Sequence, residues 1–478
     1  MNRVLVTHSY FYPLDRKQWA FKQPYPPLGS LLAASVIRQA GFETKFFDTG
    51  LKEGPLSIQN ELTGFHPKYF VVYDDGFNYL TKMCLTVMRE AAFEMTRLAK
   101  KQNALVIICS SDSSDHYEKY LSHGADYIVR GEGEETLKEL LMNLEAGAML
   151  QSIKGIVYRE NGKTIVTPSR SVLKNLDELP LPAWDLIDIA PYRDIWKRHH
   201  GYFSLNMATT RGCPYKCNWC AKPIYGNRYN TRSPENVVNE LEFLIQKYQP
   251  DHFWMSDDIF GLKPGWVNRF RSLVKERNLK FRYKIQSRVD LLLEESAIEA
   301  LAESGAETIW VGAESGSQKI LDAMDKGTTV EQIGEATKQL KAHGIRVGYF
   351  LQFGYLGEKK TDIDSTLGMV LENMPDEIGI SVSYPLPGTK FHEIVKSGLR
   401  EKQNWADSDD LAMMYHATYP PAYYKLLHRY IHSRYRIKRG WRQLQRMNFS
   451  WRPLASMIYH APLSLVQSWR LSRLQYAE

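Results

Sequence analysis

The chain has 478 residues, 44% of them hydrophobic and 24% charged, the composition of a globular protein too long for one ordinary core, so about three domains are expected. Its 5 cysteines are too few for a disulfide-stapled secreted scaffold and point to a reducing, cytoplasmic setting. The net charge of +7 is uneven: from Pro421 onward there are eleven Lys or Arg and one acidic residue, Glu478, so the basic excess lies in the tail.

The opening MNRVLVTHSYFYPLD has only a short apolar run and reads as a first strand rather than a signal peptide. No window approaches the roughly 18 consecutive apolar residues of a spanning helix. Residues 1–150 alternate apolar runs with amphipathic stretches. Val4 to Val6, Thr44 to Phe47, Tyr69 to Tyr73, Ala104 to Cys109 and Tyr127 to Val129 are predicted strands, and Leu28 to Ala40, stopped by Gly41, is a predicted helix. This βα rhythm predicts a Rossmann-like open parallel sheet, with ligands bound outside the carboxyl ends of its strands. Residues 151–195 hold a hairpin, GIVYRENGKTIVTP with Asn161-Gly162 at its turn, and then LDELPLPAWDL, whose prolines mark a linker.

Across 196–395 the rhythm returns. Ser204 to Ala208, His252 to Met255, Phe281 to Gln286, Thr308 to Gly312, Val347 to Phe353 and Ile378 to Ser383 predict a partial (β/α)6 barrel of TIM type, with its site at the carboxyl ends of the strands. Ser233-Pro234, followed by Glu235, opens the first crossover helix as cap and first-turn proline. Residues 396–478 carry no strand signal and are expected to be helical. The fold class is α/β throughout the first two parts.

Directly after the first barrel strand comes RGCPYKCNWC, Arg211 to Cys220. Its Cys213, Cys217 and Cys220 are soft thiolate ligands spaced C-x3-C-x2-C. A structural zinc site closes with four ligands, but Cys84 and Cys109 lie far upstream and the next histidine is His252. Three thiolates on one loop suit a 4Fe-4S cluster with one iron left open to chelate a small molecule.

This stretch resembles the radical S-adenosylmethionine superfamily, whose three-cysteine loop follows the first strand of a partial barrel. Further segments match in order. Trp219 fills the aromatic slot near the adenine. FWMSDD, with Asp257, ends the second strand, where the family binds the methionyl amine. VGAESGSQKIL places Glu314 and Ser315 by the ribose, YFLQFGYLGE places Gln352 and the Gly-Glu pair of the fifth strand, and YPLPGT matches the segment closing the barrel. The resemblance implies that a reduced cluster cleaves bound S-adenosylmethionine to a 5′-deoxyadenosyl radical, which attacks an unactivated C–H bond. It also implies a reductant such as flavodoxin or ferredoxin. Asp257-Asp258 as a cation site or helix cap, and a structural role for Cys84 and Cys109, remain open beside this reading.

The order of open sheet, hairpin and barrel resembles the superfamily's cobalamin-binding-domain class, in particular the oxygen-independent magnesium-protoporphyrin ester cyclases. YPPLGSLLAASVIRQAGFETKFFD is similar to that class's first helix and second strand, and ADYIVRGEGEETLKELL, with Gly131 and Glu132, to its last strand and turn. There are departures: D-x-H-x-x-G is absent, and Ser110-Ser111 stand where a glycine pair is expected, so a Cβ narrows the path of a nucleotide tail. His8 and His116 could face a corrin, although isolated histidines near strand ends are commonly surface or capping residues. Cobalamin binding and a scaffold domain that only shapes a cleft both remain open.

The tail, RYIHSRYRIKRGWRQLQRMNFSWRPL, interleaves Arg with Tyr and Trp. It could be a membrane-surface helix, a seat for a flat or anionic substrate, or a basic helix packed on the barrel. A nucleic-acid partner ranks last. The combined expectation is a cytoplasmic radical enzyme performing cobalamin-dependent C-methylation or oxidative cyclisation on a tetrapyrrole, isoprenoid or peptide. Its rivals are a cobalamin-independent rearrangement or dehydrogenation and a non-catalytic iron–sulfur carrier.

Overall fold

The computed structural model describes residues 2–83, 85–220, 224–402, 404–445 and 451–475. Cys84 therefore lies outside the described residues. Two compact units are formed, one from Met1–Pro214, Lys222–Tyr283 and Asn404–Asp410, the other from Tyr215–Ala221, Lys284–Gln403 and Leu411–Glu478.

The first sheet uses β1 (Arg3–Thr7), β2 (Glu43–Phe47), β3 (Tyr69–Tyr73), β4 (Leu105–Cys109), β5 (Tyr127–Val129), β6 (Ile156–Glu160) and β7 (Lys163–Val166), in the order β2-β1-β3-β4-β5-β6-β7. β1 to β5 pair in parallel. Their central strands are apolar on both faces, as a doubly covered parallel sheet requires. Leu5, Phe70, Val72, Val106 and Ile108 pack with Ala92 and Met95 of the 86–101 helix in one core.

The hairpin behaves differently from a linker. Asn161 and Gly162 both take positive φ, 49° and 76°, the geometry that lets a two-residue turn follow the twist of its strands. β6 then pairs antiparallel with β5 and β7 with β6, so the hairpin extends the sheet at its edge. The proline-rich stretch likewise supplies a core side chain: Trp184 is 1% exposed, and its carbonyl accepts from Tyr248 Oη at 2.8 Å. Two prolines set the direction of the backbone there without keeping a large indole out of the core.

The later strands are β8 (Ser204–Met207), β9 (Thr210–Arg211), β10 (Asn230–Thr231), β11 (His252–Met255), β12 (Arg282–Ser287), β13 (Ala306–Glu314), β14 (Arg346–Phe353) and β15 (Glu377–Val382). Six of them form the second sheet in the order β15-β14-β13-β12-β11-β8, the sequential parallel order expected of a TIM-type barrel. β8 pairs with β11 in the first unit, and β13, β14 and β15 pair in the second. Along β13, Ile309, Val311 and Ala313 are fully buried, whereas Trp310 on the other face stacks on Phe350 of β14 at 4.7 Å. Gly348 and Gly379 make room for that indole, since a Cβ at either would meet its ring.

Ser233 accepts from Asn236 N and Pro234 takes the first turn of the 234–248 helix, as the sequence requires. Past the barrel strands, the long helices Pro421–Gln445 and Trp451–Leu474 make up most of the tail. No described helix is long and apolar enough to cross a membrane.

Candidate functional site

In the first unit, the chain leaves β8 through Thr209 and Thr210, and both are gripped by Asp257. Its Oδ1 accepts from Thr209 N at 2.7 Å and Thr210 N at 2.8 Å, and its Oδ2 from Thr209 Oγ1 at 2.6 Å. Burial pushes this carboxyl up to about 6, against the pull of those donors. Asp257 therefore braces the backbone ahead of the cysteines with both oxygens occupied and caps no helix. Its neighbour Asp258 pairs with Lys82 Nζ at 2.6 Å.

β9 and β10 pair antiparallel and pinch the base of the cysteine loop. Gly212 is required there: its φ is +78°, and a Cβ would collide with the Arg228 carbonyl. Arg211, opening the motif, is buried and forks to Glu132 and Glu134, its Nη2 lying 2.8 Å from Glu134 Oε1. Glu132 also accepts from Leu173 N. Its carboxylate thus serves the cysteine loop and the chain beyond the hairpin.

At the carboxyl ends of the first sheet, Ser110 and Gly131 line a narrow cleft together with Gly29, Asp74, Gly76 and Tyr225, with enclosed room for about one water molecule. Here glycine leaves the space open: Gly131 has φ +74°, and a Cβ on Gly76 would strike Ile224. Ser110 caps the 111–115 helix reciprocally with Ser113, and Ser111 is buried within that helix. The serine pair thus forms a helix start in place of a flexible glycine turn. His8 is also buried, bonded to Asp48 Oδ1 at 3.0 Å and to Thr49, so it is neither a surface nor a capping residue. Cys109 is buried at the end of β4, in keeping with a structural role.

In the second unit, Cys217 and Cys220 are partly exposed, as Cys213 is in the first, and none of them is in a disulfide. Asn218 between them is pinned five ways. Its Oδ1 accepts from Tyr355 Oη at 2.9 Å, and its Nδ2 donates to Ala323 O at 2.7 Å and Asp325 Oδ2 at 3.2 Å. Its backbone N–H donates to Met324 O, and its carbonyl accepts from Phe391 N. Arg288 lies against Cys217, Nη1 to Sγ 4.0 Å, with its guanidinium 3.7 Å above the Tyr215 ring. The donor chemistry of three partly exposed thiols suits an iron–sulfur cluster, although among the described residues no three ligating side chains are gathered closely enough to hold a metal ion.

Glu314 and Lys326 form a buried ion pair at 2.9 Å. Burial weakens the hold of Lys326 on its proton, but Glu314 and Cys217 more than compensate and keep it charged. Glu314 has φ +55° just past a register shift in β13, a conformation that costs a β-carbon residue free energy and gathers at functional sites. Ser315 turns inward to Thr366 Oγ1 at 3.1 Å and accepts from Ser317 N, so it organises the following helix. Gln352 donates to Ser383 Oγ at 2.8 Å. Trp219 Nε1 is buried with no hydrogen-bond partner among the described residues, an orphaned donor that a bound ligand would satisfy.

Glu358, in the Gly-Glu pair, is fully buried. Its Oε2 accepts from Gly354 N at 2.7 Å, while Oε1 has no hydrogen-bond partner among the described residues. Burial pushes its carboxyl up from 4.5 to about 8, opposed by the Gly354 N–H and augmented by Asp362. The native state then holds this proton more tightly than the unfolded chain, so the associated stability is complete below about pH 4.5 and is lost as pH rises toward 8. Glu358→Gln stays neutral and keeps an acceptor for Gly354. Denaturant unfolding of this variant should show a flatter decline from pH 5 to 8 and a gain of about 4 kcal/mol over the parent at pH 8; an unchanged profile would contradict the buried acid.

Sequence reasoning missed Arg211, Asn218, Arg288 and Lys326. Only the acidic turn GEGEE hinted at the first, by requiring a cation. Residues 207–370 match the Radical SAM superfamily model. Over 387 residues, 80% of this chain and 81% of the relative, the sequence is 30% identical to an uncharacterized methyltransferase of Pyrococcus horikoshii. It is 27% identical over 272 residues, 55% of this chain and 47% of the relative, to the anaerobic magnesium-protoporphyrin IX monomethyl ester cyclase of Rubrivivax gelatinosus. The fold is shared with the cobalamin-dependent S-adenosylmethionine radical enzyme OxsB, solved with aqua-cobalamin bound: TM-score 0.74 at 18% identity, covering 98% of this chain and 72% of that one. With the cysteine loop, the barrel order and a relative of this identity and reach, the chain belongs to the radical S-adenosylmethionine superfamily, which works with a 4Fe-4S cluster and S-adenosylmethionine.

Proposed function

We propose that this enzyme methylates an unactivated carbon of a small, flat, largely apolar molecule, a tetrapyrrole or isoprenoid, using cobalamin as a second cofactor. The observation that carries the radical step is the cysteine loop itself: three half-exposed thiols with no fourth, on a backbone fixed by Asp257 and Asn218. A cluster held by these three cysteines would supply the single electron that reductive cleavage of S-adenosylmethionine requires.

In this reading Cys213, Cys217 and Cys220 hold the cluster, and Trp219 offers its free Nε1–H to the nucleoside. Glu314, paired with Lys326, and Gln352 accept from or donate to the ribose and methionyl groups. Asp257 and Ser315 act as positioning residues, because their polar atoms are already engaged within the protein. The cleft by Ser110 and Gly131 lies at the carboxyl ends of the first sheet, where the tail of a nucleotide-bearing cofactor would pass. Methyl transfer is preferred to cyclisation because the relative named a methyltransferase is matched over most of its length, the cyclase over less than half. A small electron-transfer protein of flavodoxin or ferredoxin type would supply the electron.

The test is anaerobic reconstitution of the full chain with iron, sulfide and hydroxocobalamin, then reduction with S-adenosylmethionine labelled in its methyl group and tetrapyrrole or isoprenoid candidates. Expected are retained corrinoid absorbance, 5′-deoxyadenosine and labelled product. If 5′-deoxyadenosine forms but corrinoid is never retained, the reaction is a cobalamin-independent rearrangement or dehydrogenation. A reduced cluster that never cleaves S-adenosylmethionine would mark a non-catalytic iron–sulfur protein.

A further inference from the structure

The last helix, Trp451–Leu474, is amphipathic the wrong way round for a helix that only packs on its own protein. Its buried stripe is mostly polar: His460, Ser464 and Gln467 are all under 9% exposed, joined by a single apolar residue, Leu471, at 5%. His460 meets Ser433 Oγ at 3.2 Å and Arg436 Nη1 at 3.0 Å on the preceding helix. Its outward stripe is apolar. Trp451, Ala455, Ile458, Pro462, Leu465 and Trp469 recur at alternating steps of four and three residues, which places them on one face. Trp451 is 82% exposed, Leu465 73%, Ile458 63% and Trp469 53%. Large apolar side chains scattered singly over a surface need no explanation; a continuous helical stripe of them marks an interaction face.

The stripe's surroundings choose its occupant. The sixteen residues from Leu454 to Trp469 include no Asp, Glu, Lys or Arg, so the face can be immersed without burying charge. Indoles stand at both ends of the stripe, where amphipathic rings settle at a lipid headgroup boundary. Cations flank it: Arg470 and Arg473 follow directly, the latter with its guanidinium 3.9 Å from the Trp469 ring, and Lys438 and Arg439 are exposed on the preceding helix. From Pro421 to the end, eleven basic residues face one acidic one. A second copy would bring like charge against like charge, whereas an anionic surface is complementary. The helix is not apolar enough to span, which leaves it lying in the interface plane.

We propose that the outer face of the 451–474 helix is a docking surface for an anionic lipid bilayer, into which Trp451, Ile458, Leu465 and Trp469 insert. The full-length, cluster-loaded protein would be floated with vesicles of phosphatidylcholine containing about one-third phosphatidylglycerol, and with phosphatidylcholine alone. The protein should rise with the anionic vesicles and far less with the neutral ones. The double substitution Leu465→Glu and Trp469→Glu should lower the bound fraction about tenfold or more, at an unchanged melting temperature because both side chains are already in water. The proposal is overturned if the parent stays in the soluble fraction with anionic vesicles, or if the double variant floats equally well. It is also overturned if light scattering finds a dimer that the variant dissolves while vesicles bind neither protein; the stripe would then be a self-association seam.

Discussion

Replacing Cys217 with alanine removes the iron–sulfur absorbance of the reconstituted protein and abolishes formation of 5′-deoxyadenosine, while the cluster-free chain melts where the parent does. The expected loss is total because two thiolates cannot retain a cluster that three hold with one iron already open. Cys217 is the middle thiol of the loop, with Arg288 Nη1 4.0 Å from its Sγ. The fold should tolerate the change, since the loop is held by Asn218 through five hydrogen bonds and Cys217 is only partly buried. Asn218→Ala is the informative companion: it keeps all three thiols but frees the backbone between two of them, and should lower iron loading without eliminating it. A full 4Fe-4S spectrum in the Cys217 variant would remove the basis for the radical step.

The elements of this fold were readable from the sequence because their signals are local. Strands β3, β4 and β11 fall on apolar runs within a residue of where the periodicity puts them, and Ser233-Pro234 starts its helix as its side-chain chemistry dictates. The family resemblance also named the cysteines by spacing alone. What holds the site together could not be read that way. Asp257 braces Thr209 across a separation of 48 residues, and Asn218 reaches Tyr355 across 137. No pattern within the CNWC stretch distinguishes an asparagine pinned by distant partners from one facing water. The hairpin was recognisable from Asn161-Gly162 but not its attachment, because pairing of β6 with β5 depends on which sheet edge is available. The mostly polar buried stripe of the last helix was hidden for a related reason: the composition of the tail left a membrane-surface helix, a substrate seat and a basic helix packed on the barrel all open until burial showed which face points inward.

Arg211→Met should destabilise the first unit by about 3–5 kcal/mol, the largest effect expected of any change that leaves the thiols alone. Arg211 is 3% exposed and forks to two carboxylates, Glu132 and Glu134. Burial alone would weaken the hold of the guanidinium on its proton, but the two glutamates strengthen it well beyond its ordinary value. It also lies between aromatic faces, 5.5 Å from the Phe77 ring and 5.2 Å from that of Tyr225. Methionine fills much of the volume, so the loss would come mainly from leaving two buried carboxylates side by side without a cation. Arg211→Lys keeps the charge but loses the fork, and should fall between the parent and the methionine variant. If the cost is electrostatic, adding Glu132→Gln and Glu134→Gln to Arg211→Met should restore most of the stability, with a coupling well above 1 kcal/mol in the cycle. Additive penalties would instead assign Arg211 to packing. The same measurement bears on function, because Arg211 stands two residues before Cys213. A loop released at its first residue should bind iron less completely than the parent even where the chain remains folded, and iron content per chain across the three variants should follow their stability.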